Sequence, residues 1–278
     1  MPTRRQILAG ASAAASLASS QTGSKTERYV RFSKAGRTAY GLVEGDQVRE
    51  LSASPFAGGK PGRAHALKDV QLEIPCEPRT VIAVARNYKS HIGSVAPPAR
   101  VENFYKPVTS LERHEGSIVL PSDSTDVHYE GELVLVIGKR ASKVSKANAR
   151  DHIWGITCGN DVSERQWQGG PAKDIQWWRA KGADTFGPVG PWIVRGLDHG
   201  KLMLRTRLNG QVVQEQSTSE LIYDCETILS FTSQFVTLNP GDLIYTGTPG
   251  TTKPMKHGDV VEVDIEGVGV LRNKVVKG

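Results

Sequence analysis

Hydrophobic positions along the chain fall in short runs, alternating or continuous, broken by glycine and proline. This pattern predicts strands rather than long helices. Residues 29–32, 39–43 and 47–51 read as three short strands, with Glu44-Gly45-Asp46 turning the chain between the second and the third. A Gly/Pro/Ala-rich passage over 54–66 reads as a linker. The apolar strand 80–85 then opens a second region that runs to the end. Within it 132–137 is almost continuously apolar, 202–208 alternates into Asn209-Gly210, and 260–265 alternates toward Gly267, so the last two predict hairpins. Two segments predict helices: 145–152, which is short, and 224–236, where an Asp cap precedes Ile228, Leu229, Thr232, Phe235 and Val236 on one face. The fold class is therefore mainly β with some α (α+β), with a small β-rich N-terminal domain and linker over 26–75 and a larger domain over 76–278.

Composition narrows the function classes. The chain has 278 residues, 38% hydrophobic, with 29 Gly and 15 Pro, which suits a turn-rich globular protein and excludes a disordered chain or a helical bundle. Its formal charge of +6 is spread along the sequence. No basic run is interleaved with aromatics, so no nucleic-acid partner is expected. Cys76, Cys158 and Cys225 are far apart and form no CxxC pair, which predicts ordinary thiols rather than a zinc knuckle or a disulfide framework. At the N-terminus Arg4-Arg5 and Ile7-Leu8 lead into a small-residue apolar stretch over 9–18 and a polar boundary over 19–24. That is the layout of an export signal over 1–25, and it resembles a twin-arginine signal. The apolar run is too short and too rich in Ala and Ser for a membrane anchor, which needs roughly 20 strongly apolar residues. The expectation is a periplasmic or secreted protein without a stable anchor, the alternative being an Ala-rich terminus without signal function on a cytoplasmic one.

Candidate chemistry sits in three places. In Tyr129-Glu130-Gly131-Glu132 the two carboxylates share one side of an extended chain, because strand side chains repeat every second position. Either they are solvated, or a cation lies between them, and oxygen ligands suit a hard one such as magnesium, manganese or calcium. The second place runs from Gly159-Asn160-Asp161 to Gln168. Asp161 offers a third carboxylate, and Arg165 and Gln168 share a face if the segment is helical, although a helix cap with a solvated Arg explains the same letters. The third place pairs the Gly/Pro loop 181–191 with Tyr245-Thr246-Gly247-Thr248-Pro249-Gly250, loops that carry sites or simply turn corners.

Taken with Arg86-Asn87-Tyr88-Lys89-Ser90-His91, Phe104-Tyr105-Lys106-Pro107, Pro240-Gly241-Asp242 and the block 258–263, these segments in this order resemble the fumarylacetoacetate hydrolase (FAH) family over about residues 79–278. The resemblance implies an FAH-type mixed β-roll catalytic domain, usually dimeric. It implies Mg²⁺ or Mn²⁺ on Glu130, Glu132 and Asp161, with Lys181, Arg165, Gln168, Thr248 and Tyr88 around a small oxo-acid substrate and His91 as general base on a lid. The implied reaction is hydrolysis of a carbon–carbon bond in an acylpyruvate or 1,3-diketo acid.

One position departs from the family. Many of its hydrolases carry Glu three residues after the lid histidine, whereas this chain reads His91-Ile92-Gly93-Ser94. A serine orients an imidazole without stabilising its protonated form by charge. Oxaloacetate decarboxylase, isomerase and ureidoglycolate lyase chemistry therefore remain open. Glu102, Glu112 and Glu115 are the nearby carboxylates able to replace the missing one. A non-catalytic exported oxo-acid-binding protein is the reading outside enzymes, and retention of Lys181 argues against it.

Overall fold

The computed structural model describes residues 26–278, and the expected export signal over 1–25 lies outside the described residues. Strands β1 (Glu27–Lys34), β2 (Arg37–Glu44) and β3 (Gln47–Leu51) form the predicted meander, and β4 (Pro61–Ala66) adds a fourth strand. This corrects the linker over 54–66. A 3-10 turn at Pro55–Ala57, capped by the Ser54 side chain, reverses the chain, and β4 then pairs with β3 through Val48↔His65. Its residues are mostly exposed, with proline at the first position, so an edge strand held by main-chain hydrogen bonds shows no apolar alternation to read.

The chain continues through β5 (Val81–Ala85), β6 (Glu102–Lys106), β7 (Ser117–Leu120), β8 (Gly131–Ile137), β9 (Ile153–Asn160) and β10 (Gly187–Arg195). It ends with β11 (Met203–Leu208), β12 (Gln211–Ser217), β13 (Leu243–Tyr245), β14 (Val260–Ile265) and β15 (Gly269–Lys277). A 12-stranded sheet runs β4-β3-β2-β1-β10-β9-β8-β13-β5-β6 with two short strands off this path, and a 5-stranded sheet runs β12-β11-β14-β15-β7. The N-terminal meander joins the large sheet where β1 meets β10 through Tyr29↔Ile193. Both predicted hairpins form, and Asn209 and Gly210 take φ of 52° and 80°, the two left-handed positions that a tight turn between β11 and β12 requires. The architecture is α+β.

Among the described residues five short α-helices decorate the sheets: α1 (Lys89–Ile92), α2 (Lys146–Ala149), α3 (Arg165–Gly169), α4 (Trp178–Gly182) and α5 (Cys225–Phe235). In α5 Asp224 caps the start, and Ile228, Leu229 and Thr232 are buried as predicted. Phe235 is not. It is 77% exposed and meets the Phe231 ring edge to face at 5.4 Å, because the helix ends there and the chain, extended at Val236, turns Val236 rather than Phe235 onto the core.

Strand β8 explains the core. It lies between β9 and β13 and is buried at every position. Leu133, Leu135 and Ile137 pack on one side with Ile228 and Leu229 of α5 and Val263 and Ile265 of β14, while Val134 and Val136 pack on the other with Val81, Ala83 and Tyr245. A strand covered on both faces needs a continuous apolar run, and burial of each Leu, Ile or Val contributes about 1.5–3 kcal/mol. Cys76, Cys158 and Cys225 are buried, unpaired thiols. Among the described residues no helix is long and apolar enough to cross a membrane.

Candidate active site

The antiparallel register between β8 and β9 builds the centre. Gly131 faces Asn160, so Glu130 and Asp161 flank the end of the pair, where the Asp161 N–H donates to the Glu130 carbonyl at 2.9 Å. The Glu130 N–H donates in turn to Asn160 Oδ1 at 2.8 Å. Glu132, two residues along β8, points to the same side. Glu130, Glu132 and Asp161 each bring a carboxylate oxygen within 4.8 Å of the others. Their exposures of 4%, 1% and 1% exclude a solvated acidic strand end. The glycine between the glutamates answers a close approach, since a Cβ at Gly131 would lie 2.0 Å from Thr206 Oγ1.

Cations surround this cluster unevenly. Lys181, at the end of α4, places Nζ 2.7 Å from Glu130 Oε2 and 2.6 Å from Asp161 Oδ2. Lys106 Nζ donates to Asp161 Oδ1 at 2.7 Å and to the Lys181 carbonyl. Arg165 Nη2 donates to Glu130 Oε1 at 2.6 Å, and its Nη1 to Gln168 Oε1 at 2.6 Å, one turn along α3. Burial alone would push the Glu130 carboxyl up, but the Lys181 and Arg165 charges outweigh it and hold the carboxyl below its ordinary value. For Lys181 burial works downward, yet Asp161 and Glu130 outweigh it and raise the ammonium. Lys106 is lowered by burial, which its Asp161 partner only partly offsets.

Glu132 is the exception. Burial raises its carboxyl well above the ordinary value, and the charges on Asp161 and Glu130 add to the shift. One oxygen accepts the Gly247 N–H at 2.6 Å; the other is buried with no hydrogen-bond partner. Gly247 itself has φ of 103° and packs so tightly on Asn87 that a Cβ would lie 2.7 Å from the Asn87 Cβ. An orphaned buried oxygen among three carboxylates fits a hard divalent cation, since magnesium and manganese take such oxygen ligands, as does calcium.

Beside the cluster a cavity of about 580 Å³ is lined by His91, Glu130, Asp161, Gln168, Lys181 and Thr248 among others. His91, on α1, sets Nδ1 2.7 Å from the Gly250 carbonyl oxygen. The Thr248 hydroxyl donates to the Gly131 carbonyl at 2.8 Å and accepts from Gln214 Nε2 at 2.9 Å. Tyr88 is not brought to this cavity: it is fully buried, pairs with Leu221 and leaves its hydroxyl without a partner. Of the three nearby glutamates only Glu102 lines the cavity, and its two oxygens accept from Nε and Nη2 of Arg86. Glu112 accepts from the Arg113 N–H, and Glu115 pairs with Arg272.

Three residues of the centre escaped the sequence. Lys106 stood in a recognised block without a role. Gln214 ties the Gly131 N–H, Thr248 and the Pro249 carbonyl together from β12. Asn87 pins the Thr246 carbonyl at 2.8 Å and both main-chain groups of Tyr223. Polar side chains on strands and in loops give no pattern that separates these from surface residues; the Asn87 and Lys106 blocks signalled their neighbourhood, and Gln214 had no signal.

Residues 80–276 match the family model for the fumarylacetoacetate (FAA) hydrolase C-terminal domain, and residues 27–75 match a model described as Rv2993c-like, N-terminal. The chain is 38% identical over 211 residues to the mitochondrial oxaloacetate tautomerase FAHD2A of Bos taurus, covering 72% of this chain and 67% of that protein. It is similar to the crystal structure of 2-hydroxyhepta-2,4-diene-1,7-dioate isomerase from Mycobacterium marinum, with a TM-score of 0.84 and 41% identity over 90% of this chain and 98% of that one. It is also similar to maleylpyruvate hydrolase from Sphingobium sp. SYK-6 in complex with manganese(II) ion and pyruvate, with a TM-score of 0.74 and 27% identity over 90% and 99% of the two chains.

Proposed function

The chain belongs to the fumarylacetoacetate hydrolase family, and from that membership we propose that it is a divalent-metal-dependent enzyme that interconverts the keto and enol forms of a small 2-oxo acid, oxaloacetate being the first to test. The contact between His91 and Gly250 carries this reading. A carbonyl oxygen only accepts, so Nδ1 holds the proton and Nε2 is the basic nitrogen of a residue that lines the cavity. Among the described residues no carboxylate pairs with His91, and the next candidate position is Ser94. A carbonyl fixes the tautomer, and the carboxylate whose charge reaches His91, Glu130, is already paired with Lys181 and Arg165, which suits reversible proton transfer at carbon better than activation of water.

When bound on Glu130, Glu132 and Asp161, a divalent cation would polarise the 2-oxo group and acidify the neighbouring C–H. Magnesium or manganese is the proposed metal, manganese being present in the similar maleylpyruvate hydrolase structure. Lys181 neutralises charge developing on the enolate oxygen, Arg165 and Gln168 hold the substrate carboxylate, and His91 moves the proton. Carbon–carbon cleavage of an acylpyruvate is the second reading, favoured because Glu102 lines the same cavity and would give His91 an acidic partner if Arg86 released it.

The test is the manganese-loaded protein with oxaloacetate in D₂O, followed by enol absorbance and by exchange at the methylene carbon, beside pyruvate release from acylpyruvates. Catalysed exchange without acylpyruvate cleavage supports the proposal; cleavage without exchange replaces it with the hydrolase. The family resemblance also supports a homodimer, which light scattering checks. Export through the leader over 1–25 is proposed as well, and Arg4→Lys with Arg5→Lys should then hold the precursor in the cytoplasmic fraction.

A further inference from the structure

We propose that Lys106 is a positioning residue that sets the metal ligand Asp161 and the catalytic Lys181 in one geometry. The inference rests on the metal-dependent reading above. Lys106 is the last residue of β6, and its side chain is 0% exposed. Its ammonium is spent on Asp161 Oδ1 and on the Lys181 carbonyl, so it acts through its neighbours rather than on substrate.

Those neighbours are specific. Asp161 is held at both oxygens by ammonium groups, Oδ1 by Lys106 at 2.7 Å and Oδ2 by Lys181 at 2.6 Å. Two donors on opposite oxygens fix the carboxylate plane, as one would not. The same Lys106 Nζ donates to the Lys181 carbonyl, so one charge holds the side chain of the ligand and the main chain of the catalytic lysine. The approach is built into β6. Pro107 packs on Gly182 so closely that a Cβ there would lie 2.6 Å from Pro107 Cδ, and the Phe104 ring lies 5.3 Å from Lys181 Nζ. The end of β6 and the proline after it thus brace Lys181 and Gly182 through three contacts: the Phe104 ring, the Lys106 ammonium and Pro107.

A buried ammonium is costly unless paired, and Lys181 alone already bridges Glu130 and Asp161. A second buried lysine on the same aspartate therefore orients rather than neutralises. Groups that orient metal ligands from behind typically matter 10–100-fold for affinity.

The experiment titrates Mn²⁺ into wild type, Lys106→Met and Lys106→Gln by calorimetry, with thermal melts of the metal-free proteins and steady-state kinetics at saturating metal. Expected are Mn²⁺ dissociation constants weaker by about 10–100-fold and kcat lower by about tenfold or more, with KM for the oxo acid within about twofold, because Lys106 does not meet substrate. Combining Lys106→Met with Asp161→Asn should weaken Mn²⁺ no further than Asp161→Asn alone. Lys106→Gln ends one bond short of the Nζ position and carries no charge, so it loses the same two contacts with a polar side chain, and it reads the same quantities if Lys106→Met fails to fold. Wild-type Mn²⁺ affinity and kcat in either folded variant overturn the inference, as does failure of both variants to fold, since the role is then structural. Wild type that binds no Mn²⁺ overturns the metal-dependent reading instead.

Discussion

The Asp161 N–H donates to the Glu130 carbonyl at 2.9 Å, so two of the three carboxylates are tied main chain to main chain across the end of β8 and β9. They cannot move apart to relieve repulsion, and Glu132 joins them as the carboxylate without a lysine or arginine contact among the described residues. Glu132→Gln should therefore raise the metal-free protein's stability by about 1 kcal/mol, or about 2–4 °C in Tm, while Mn²⁺ affinity falls sharply. Alanine at Glu130 or Asp161 should also cut affinity. Thermal melts and calorimetry check both, and a lower Tm for Glu132→Gln would show that its carboxylate is already compensated.

Asp224 gives a prediction in pH. Its side chain accepts from the Thr227 N–H at 2.8 Å and meets Lys146 Nζ at 2.7 Å. Burial pushes its carboxyl up, but the Lys146 and Thr227 contacts outweigh this and hold it below the ordinary value. A depressed carboxyl contributes stability that is present above the unfolded pKa and lost as pH falls through the folded one. Asp224→Ala should cost about 1 kcal/mol at pH 7, with the penalty shrinking below about pH 4. Urea melts at pH 7 and pH 3 measure it; equal penalties at both would assign the effect to packing alone.

How much the sequence revealed depended on how local each feature is. Strand β8 was legible because burial on both faces forces an unbroken apolar run, and α5 because its cap and stripe are short-range. Strand β4 was not, since an exposed edge is set by its partner's main chain. In the site, the side-by-side placement of Glu130 and Glu132 followed from the two-residue period of a strand. The position of Asp161 opposite Glu130 follows from register across 30 intervening residues, which spacing does not encode. Lys106 reaches Asp161 over 55 residues, and nothing in its own segment separates a buried ammonium from a surface one.

The base is the next point of test. With Nδ1 on the Gly250 carbonyl, His91→Ala should lower keto–enol exchange by about 10² and leave Mn²⁺ binding unchanged. Ser94→Glu restores the acidic spacing of family hydrolases and should introduce acylpyruvate cleavage. Exchange in His91→Ala at the wild-type rate would assign the proton transfer to another group.

Lys181 separates stability from chemistry. Its Nζ lies 2.7 Å from Glu130 Oε2 and 2.6 Å from Asp161 Oδ2. Lys181→Met leaves both carboxylates buried with one partner fewer, and losing one side of a buried pair costs about 3–5 kcal/mol. The metal-free variant should melt well below wild type. On the proposed metal site manganese would bind the folded carboxylate cluster and not the unfolded chain, so at about 100 times its dissociation constant it should return about 2.7 kcal/mol by mass action. Turnover should not return, because a cation on the carboxylates does not replace the ammonium proposed to meet the enolate oxygen. Melting curves and exchange rates, each with and without Mn²⁺, read the two effects apart. Recovery of exchange together with Tm would reduce Lys181 to a counter-charge and pass the enolate to Arg165.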